Sequence, residues 1–268
     1  MYMIPEEYLF DNDWKMARER LAALERDRDY ATIRCLETVS VAAGWHCLEI
    51  GGGGGSIAAW LCERVGSMGS VLATDTNTRF LAALDYPWLE VRTHDIITDT
   101  LPAGEFDLVH TRLVLTHLPE RERVLEKMAK AVKPGGWLLV EEPDFTIESI
   151  APGIDEGLIR LWTHGMRVVG LVQRQRGMDV TLGQRLFSMV LDLGFTSLAS
   201  EGQTCMFQGG SPAAEAYRLT MEQLSALCVA TGEINAHEFG EFLTLFSNLS
   251  CVMRQFLLMS VWGRRPPV

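Results

Sequence analysis

Polar and apolar positions in this chain switch repeatedly between helical and strand-like periods. From Asp13 to Val39, apolar residues such as Trp14, Ala17, Leu21 and Leu24 recur at helical spacing between Arg and Glu, with a second helical stretch from Tyr30 to Val39. After the turn Gly44-Trp45-His46 comes a short apolar run, Cys47 to Ile50, then five consecutive glycines and a helical pattern from Ser56 to Val65. A second apolar run, Val71 to Thr74, closes on Asp75. The alternation continues with a helix over Thr78 to Leu84, a strand over Leu89 to Thr93 and a strand over Phe106 to His110. A helix over Glu120 to Val132 follows, then the turn Pro134-Gly135-Gly136 and a strand over Trp137 to Glu141. Such strand–helix repeats predict an α/β fold with a doubly wound, mostly parallel sheet. The strand C-terminal ends then share one edge, where a ligand is expected.

Beyond Pro143 the pattern becomes more helical. Helices are predicted over Ile154 to Leu171, Leu182 to Leu193, Pro212 to Ala230 and His237 to Asn248, with strands over Phe195 to Phe207 and Phe256 to Trp262. The expected organisation is an N-terminal helical segment, residues 1–43, that covers the site. A main domain follows, residues 44–268, with a seven-stranded sheet and helical cap additions near 150–176 and 211–250.

Composition narrows the function. At 268 residues the chain suits one large α/β domain, and its 47% hydrophobic and 22% charged residues are ordinary for a globular protein. A net charge of −11 opposes binding to a phosphate backbone, and basic residues gather only in pairs, Arg174 with Arg176 and Arg264 with Arg265. No apolar run approaches the roughly 20 residues that span a bilayer. The stretch Met1 to Phe10 carries Glu6 and Glu7 and does not read as a secretory signal. Six cysteines without CxxC or Cys/His spacing fit a reduced, cytoplasmic setting and no zinc site. The partner expected is a small-molecule substrate rather than nucleic acid or membrane, with the chain acting alone or as a homodimer.

The glycine run carries the chemistry. Glu49-Ile50-Gly51-Gly52-Gly53-Gly54-Gly55 sits where a strand turns into a helix, so the backbone can approach a ligand closely. No register of the run places a glycine at the last position of GxGxxG, the nicotinamide-dinucleotide fingerprint, and no Lys supplies a Walker loop. What remains is an acid followed by GxGxG: Glu49, Gly51, Gly53 and Gly55. An acid there suits a ligand with positive charge and repels a pyrophosphate.

Cys47 to Gly55 resembles the first motif of class I S-adenosylmethionine-dependent methyltransferases. Val71-Leu72-Ala73-Thr74-Asp75 is similar to their second strand, whose terminal acid holds both ribose hydroxyls, with Thr76 beside it. His94-Asp95-Ile96 is similar to the segment after strand three, which implies that Asp95 takes the adenine amino group and Ile96 packs the ring. Phe106 to His110, Leu115-Thr116-His117-Leu118, and the stretch from Leu125 to Val140 through Lys133-Pro134-Gly135-Gly136 resemble the following elements. The likeness covers roughly residues 44 to 143. It implies a Rossmann-like fold, S-adenosylmethionine as cofactor, and kinship with small-molecule enzymes of bacterial secondary metabolism.

The acceptor side is less legible. Nucleobase and many protein amino-methyltransferases of this family carry an Asn/Asp-Pro-Pro-aromatic sequence at the end of strand four. Here that stretch is Thr111-Arg112-Leu113-Val114, which turns the expectation toward small metabolites. Arg112 is a candidate partner for the donor carboxylate or an anionic substrate, the alternative being a surface salt bridge. His110 and His117 are the candidate general bases, since imidazole titrates near neutral pH, and His110 is also a candidate cofactor contact. For His117 the alternative is packing and loop capping. Glu141, Glu142 and Asp144 form a carboxylate cluster that reads as a polar rim rather than a metal site. Trp162, Met166, Tyr217, Met221, Phe239, Phe242 and Phe246 make the additions apolar. Most of them are expected to pack on one another, while the additions, with Tyr2 to Trp14, cover the donor methyl. The leading function is methyl transfer to an oxygen, nitrogen or carbon of a small, largely apolar metabolite. The alternative is a protein of the same fold that binds S-adenosylmethionine without methylating, either a ring-closing enzyme or a binding protein.

Overall fold

The computed structural model describes residues 9–152 and 154–267. The chain divides into two compact units. One comprises Arg28–Asp144, Thr181–Gln203 and the C-terminal stretch from Leu257; the other comprises the chain up to Asp27, Phe145–Val180 and Thr204–Phe256.

The first unit holds a seven-stranded sheet. Its strands are β1 (His46–Ile50), β2 (Ser70–Asp75), β3 (Leu89–Thr93), β4 (Phe106–Arg112), β5 (Val132–Asp144), β7 (Thr196–Gln203) and β10 (Leu257–Arg264), in the order β3-β2-β1-β4-β5-β10-β7. Pairs among β1 to β5 are parallel and only β10 runs against its neighbours. The expected seven-stranded, mostly parallel α/β sheet is therefore present. Alternation along each strand gives the sheet two faces. On one, Leu48, Val109, Leu138, Val140 and Val261 pack with α3 (Arg121–Ala131) and α5 (Leu182–Asp192). On the other, Cys47, Val71, Leu108, Leu139 and Trp262 pack with α2 (Ser56–Val65) and the second half of α1 (Ala17–Thr38).

The second unit contains the first half of α1, then α4 (Glu156–Gln175), α6 (Pro212–Ala230) and α7 (Ala236–Thr244), with a small antiparallel sheet. That sheet pairs β6 (Ser149–Ile150), β9 (Val252–Arg254) and β8 (Met206–Gln208) in the order β6-β9-β8. Its helices are started by side-chain caps: Asp155 accepts from the Gly157 and Leu158 amides, Ser211 from Ala214, and Asn235 with Glu238 forms a reciprocal capping box. Trp162, Phe242 and Phe246 meet in tilted and edge-on contacts, and Tyr217 packs against Phe207, Phe246 and Phe256. The aromatic residues of the additions are thus largely this unit's own core.

Several expectations need correction. The two stretches over Asp13 to Val39 are one helix, because no Gly or Pro interrupts them. Thr78 to Leu84 is not a helix but a 3-10 turn at Leu81–Ala83; seven residues ahead of Pro87 are too few to nucleate one. The strand expected over Phe195 to Phe207 is two strands, β7 and β8, in different sheets. The rim reading of the carboxylates also fails: Glu141 and Glu142 are fully buried and Asp144 nearly so. Of the segment Tyr2 to Trp14, residues 2–8 lie outside the described residues.

Candidate functional site

The sequence-derived residues converge on the C-terminal edge of β1 to β4. Gly51 and Gly52 donate their amides to the Thr74 carbonyl at 2.8 and 3.0 Å, which clips the loop to the end of β2. Gly51 has φ +71°, and a Cβ there would sit 2.3 Å from the Val114 side chain; Gly55 has φ +97°. A side chain is strained by the backbone at both positions, and at Gly51 it would also collide with Val114. The loop is therefore a bare backbone cradle leading into α2, as close approach of a ligand requires.

Asp75 closes β2 and is bonded to the loop itself. Its Oδ2 accepts from the Gly53 amide at 2.9 Å and its Oδ1 from Asn77 at 3.0 Å. Each carboxylate oxygen has a second lone pair, so these bonds orient the group without exhausting it. Thr76 follows, exposed. Asp95 organises its own turn, accepting from the Ile97 amide at 2.9 Å and the Thr98 hydroxyl at 3.1 Å. Ile96 is buried in the core and its carbonyl takes a bond from Lys127 at 2.6 Å. An acid, a glycine cradle and two further acids at successive strand ends make a donor set that fits S-adenosylmethionine.

Four neighbouring strands carry a row of polar side chains beneath that edge. Glu49 of β1 faces His110 of β4 in register, and Ser260 of β10 faces Glu141 of β5. His110 Nδ1 lies 2.5 Å from Glu49 Oε2, and its Nε2 lies 3.2 Å from Glu141 Oε2. Ser260 Oγ and Thr32 Oγ1, the latter from α1, each donate to Glu141 at 2.5 Å. Burial opposes a charged imidazole, but the two carboxylates outweigh it and hold the His110 pKa up at about 9. Burial likewise opposes a charged Glu141, but the bond and charge of His110, with Arg112 and Ser260, hold it below the ordinary carboxylate value. Arg112 is turned inward, donating to Thr32 and Asp29 at 2.9 Å each.

Glu142 points to the opposite face. Its carboxyl accepts the amides of Val114, Leu115 and Thr116 at 3.1, 2.7 and 3.1 Å. Burial pushes its pKa up to about 8 against those three donors. It fixes the turn after β4, where Leu113 holds a left-handed φ of 58° and His117 ends a 3-10 turn, Leu115–His117. Among the described residues no His, Cys, Asp and Glu group is arranged to hold a metal. Sequence reasoning did not find Thr32, Ser260 or the role of Glu141. The only signal was the unusual pair of acids inside an apolar strand.

Comparisons with known proteins find methyltransferases. Residues 48–140 fit a family model described as a methyltransferase domain. Methyltransferase str2 of Strobilurus tenacellus is 39% identical over 123 residues, 42% of this chain and 42% of that protein. The ubiquinone/menaquinone biosynthesis C-methyltransferase UbiE of Laribacter hongkongensis is 35% identical over 113 residues, 40% of this chain and 46% of its own length. The matched region thus spans less than half the length of these relatives. Among solved structures, Haemonchus contortus phosphoethanolamine N-methyltransferase 2, bound to phosphomonomethylethanolamine and S-adenosylhomocysteine, gives a TM-score of 0.52 at 14% identity. That likeness covers 98% of this chain and 58% of the other, and it is one of fold.

Proposed function

We propose, from the premise that this chain carries a class I, S-adenosylmethionine-dependent methyltransferase domain, that it methylates a small, largely apolar metabolite at oxygen, nitrogen or carbon. The observation that carries the reading is the Glu49–glycine cradle bonded through Gly53 to Asp75. Asp75 accepts the ribose hydroxyls, Asp95 the adenine amino group, Ile96 packs the ring, and Glu49 faces the cationic end of the donor. When bound, the donor supplies a methyl group already activated by its sulfonium. What the chain must add is placement of the acceptor atom in line with that methyl and exclusion of water.

A dedicated base is not required by this chemistry. His110 has both ring nitrogens against carboxylates and no lone pair to offer, so we assign it to positioning rather than proton abstraction. His117 keeps the base role only for an acceptor that must lose a proton. The donor role of Arg112 would require it to leave Asp29 and Thr32.

The apolar acceptor is supported by the quinone-pathway relative and by a net charge of −11, which disfavours nucleic acid. Among the described residues no helix is long and apolar enough to cross a membrane. Six free thiols, five of them buried, favour the reducing cytoplasm. A homodimer and a role in secondary metabolism belong to the same proposal. We assign acceptor choice to the helical additions, through residues other than Trp162 and Tyr217, which form their core. Incubation with methyl-labelled donor and a panel of quinols, phenols and aliphatic acids tests the function. Labelled product with stoichiometric S-adenosylhomocysteine is the expected result; donor binding without transfer to any acceptor class would favour the non-methylating alternative.

A further inference from the structure

The buried row contains more charge than a donor-binding loop needs. An imidazolium bonded to Glu49 alone would cancel the charge of that acid and leave little to attract a cation. Here the second nitrogen of the same ring meets Glu141, so two carboxylates share one imidazolium and the row keeps one net negative charge. Glu141 does not depend on His110 for its place, since Ser260 and Thr32 also hold it at 2.5 Å each. The other ionisable groups at Glu141 do not remove that charge. Arg112 of β4 is committed to Asp29, and burial, with the charge of Glu141, pushes the Cys35 thiol of α1 up to about 11. Burying three ionisable groups costs stability, and the opposite face is packed mainly from apolar side chains, with Glu142 as its buried acid.

We propose that Glu141 is a positioning residue for the methyl donor: bonded to the far nitrogen of His110, it balances the imidazolium so that Glu49 keeps its negative charge for the donor's ammonium group. This rests on the donor reading above. It gives Glu141, which touches no ligand in that reading, a selective effect on one end of the donor. The same arrangement fixes the Glu49 carboxyl in place, because His110 is held from both sides.

Calorimetry with S-adenosylhomocysteine and with methylthioadenosine separates this role from a structural one. The second ligand has the nucleoside but lacks the amino-acid end. Glu141→Gln preserves shape and can still accept from Ser260, and at pH 6, where the ring bonded to Glu49 keeps its proton, it makes the row neutral. It should lower S-adenosylhomocysteine affinity about tenfold, the scale of one charge removed at partly screened range, and leave methylthioadenosine affinity nearly unchanged. Equal losses for both ligands, or no loss for either, would overturn the proposal. Should Glu141→Gln not fold, nitrogen NMR of His110 in the unaltered protein decides. Both ring nitrogens should be protonated at about pH 8, and a neutral ring there would overturn it. If the unaltered protein binds neither ligand, the donor reading fails first and this inference with it. Normal binding with an unselective Glu141→Gln removes this inference alone.

Discussion

The two faces of the seven-stranded sheet are built from the same strands, one residue out of step. Toward α3 and α5 the face is mainly apolar, with Leu48, Val109, Leu138, Val140 and Val261 all buried and Glu142 as a buried acid near the strand end. Toward α1 an apolar layer of Cys47, Leu108, Leu139 and Trp262 gives way, two residues nearer the strand ends, to Glu49, His110, Glu141 and Ser260. Both faces are buried to a similar degree, so burial does not explain the difference. The apolar face contributes stability in proportion to the area it removes from water. The polar face gives some of that up to place charge beneath the glycine loop. A single residue step along the strands thus separates the charged row from the mainly apolar face behind it.

Substitutions can break this comparison. The largest effect expected is on the apolar face: Leu138→Ala should cost about 2–5 kcal/mol of folding stability in denaturant unfolding. Its folded fraction should bind S-adenosylhomocysteine as the parent does, and a parallel loss of affinity would blur the division between faces. At the ligand edge, Asp75→Ala should lose about 1.5–3 kcal/mol of cofactor binding, the worth of hydrogen bonds to a charged group. Asp95→Ala should lose less, because in the proposed reading Asp75 takes two ribose hydroxyls while packing also holds the adenine. Identical dissociation constants for Asp75→Ala and the parent would refute the ribose assignment.

The smallest effect at neutral pH is titration of the buried ionisable groups on the two faces. His110 has its pKa raised from 6.5 to about 9 in the folded protein, so its contribution is full below 6.5 and is lost as pH rises through 9. Glu142, raised from 4.5 to about 8, acts in the same direction over its own window. The denaturation midpoint should therefore fall as pH rises from 6.5 to 9, and His110→Gln should flatten that slope. A midpoint that rises over this range would contradict the assigned charges.

The glycine-loop edge of the sheet is legible in the sequence because its elements carry strong local signals. Glycines at a strand–helix junction and an acid closing the next strand are set by backbone geometry and need no tertiary information. The strand β3, Leu89–Thr93, and helix α2, Ser56–Val65, fall where the pattern places them. The small sheet was not legible, because Ser149–Ile150 and Val252–Arg254 are too short for any period to register. The helix expected over Thr78 to Leu84 had the right composition but not the length. Whether His110 faces in or out depends on pleat phase, which the register Glu49↔His110 decides. Glu141 and Glu142 read as a rim because acids in sequence suggest solvent. Only cross-strand pairing reveals that each has a buried partner on a different face.

The account stands or falls on what the glycine cradle binds. Calorimetry of the unaltered protein with S-adenosylmethionine, S-adenosylhomocysteine and a nicotinamide dinucleotide is the most direct measurement. The account predicts saturable binding of both methyl-cycle ligands and none of the dinucleotide, because Glu49 repels a pyrophosphate and the loop has no glycine at the last fingerprint position. Tight dinucleotide binding with no response to either methyl-cycle ligand would contradict it.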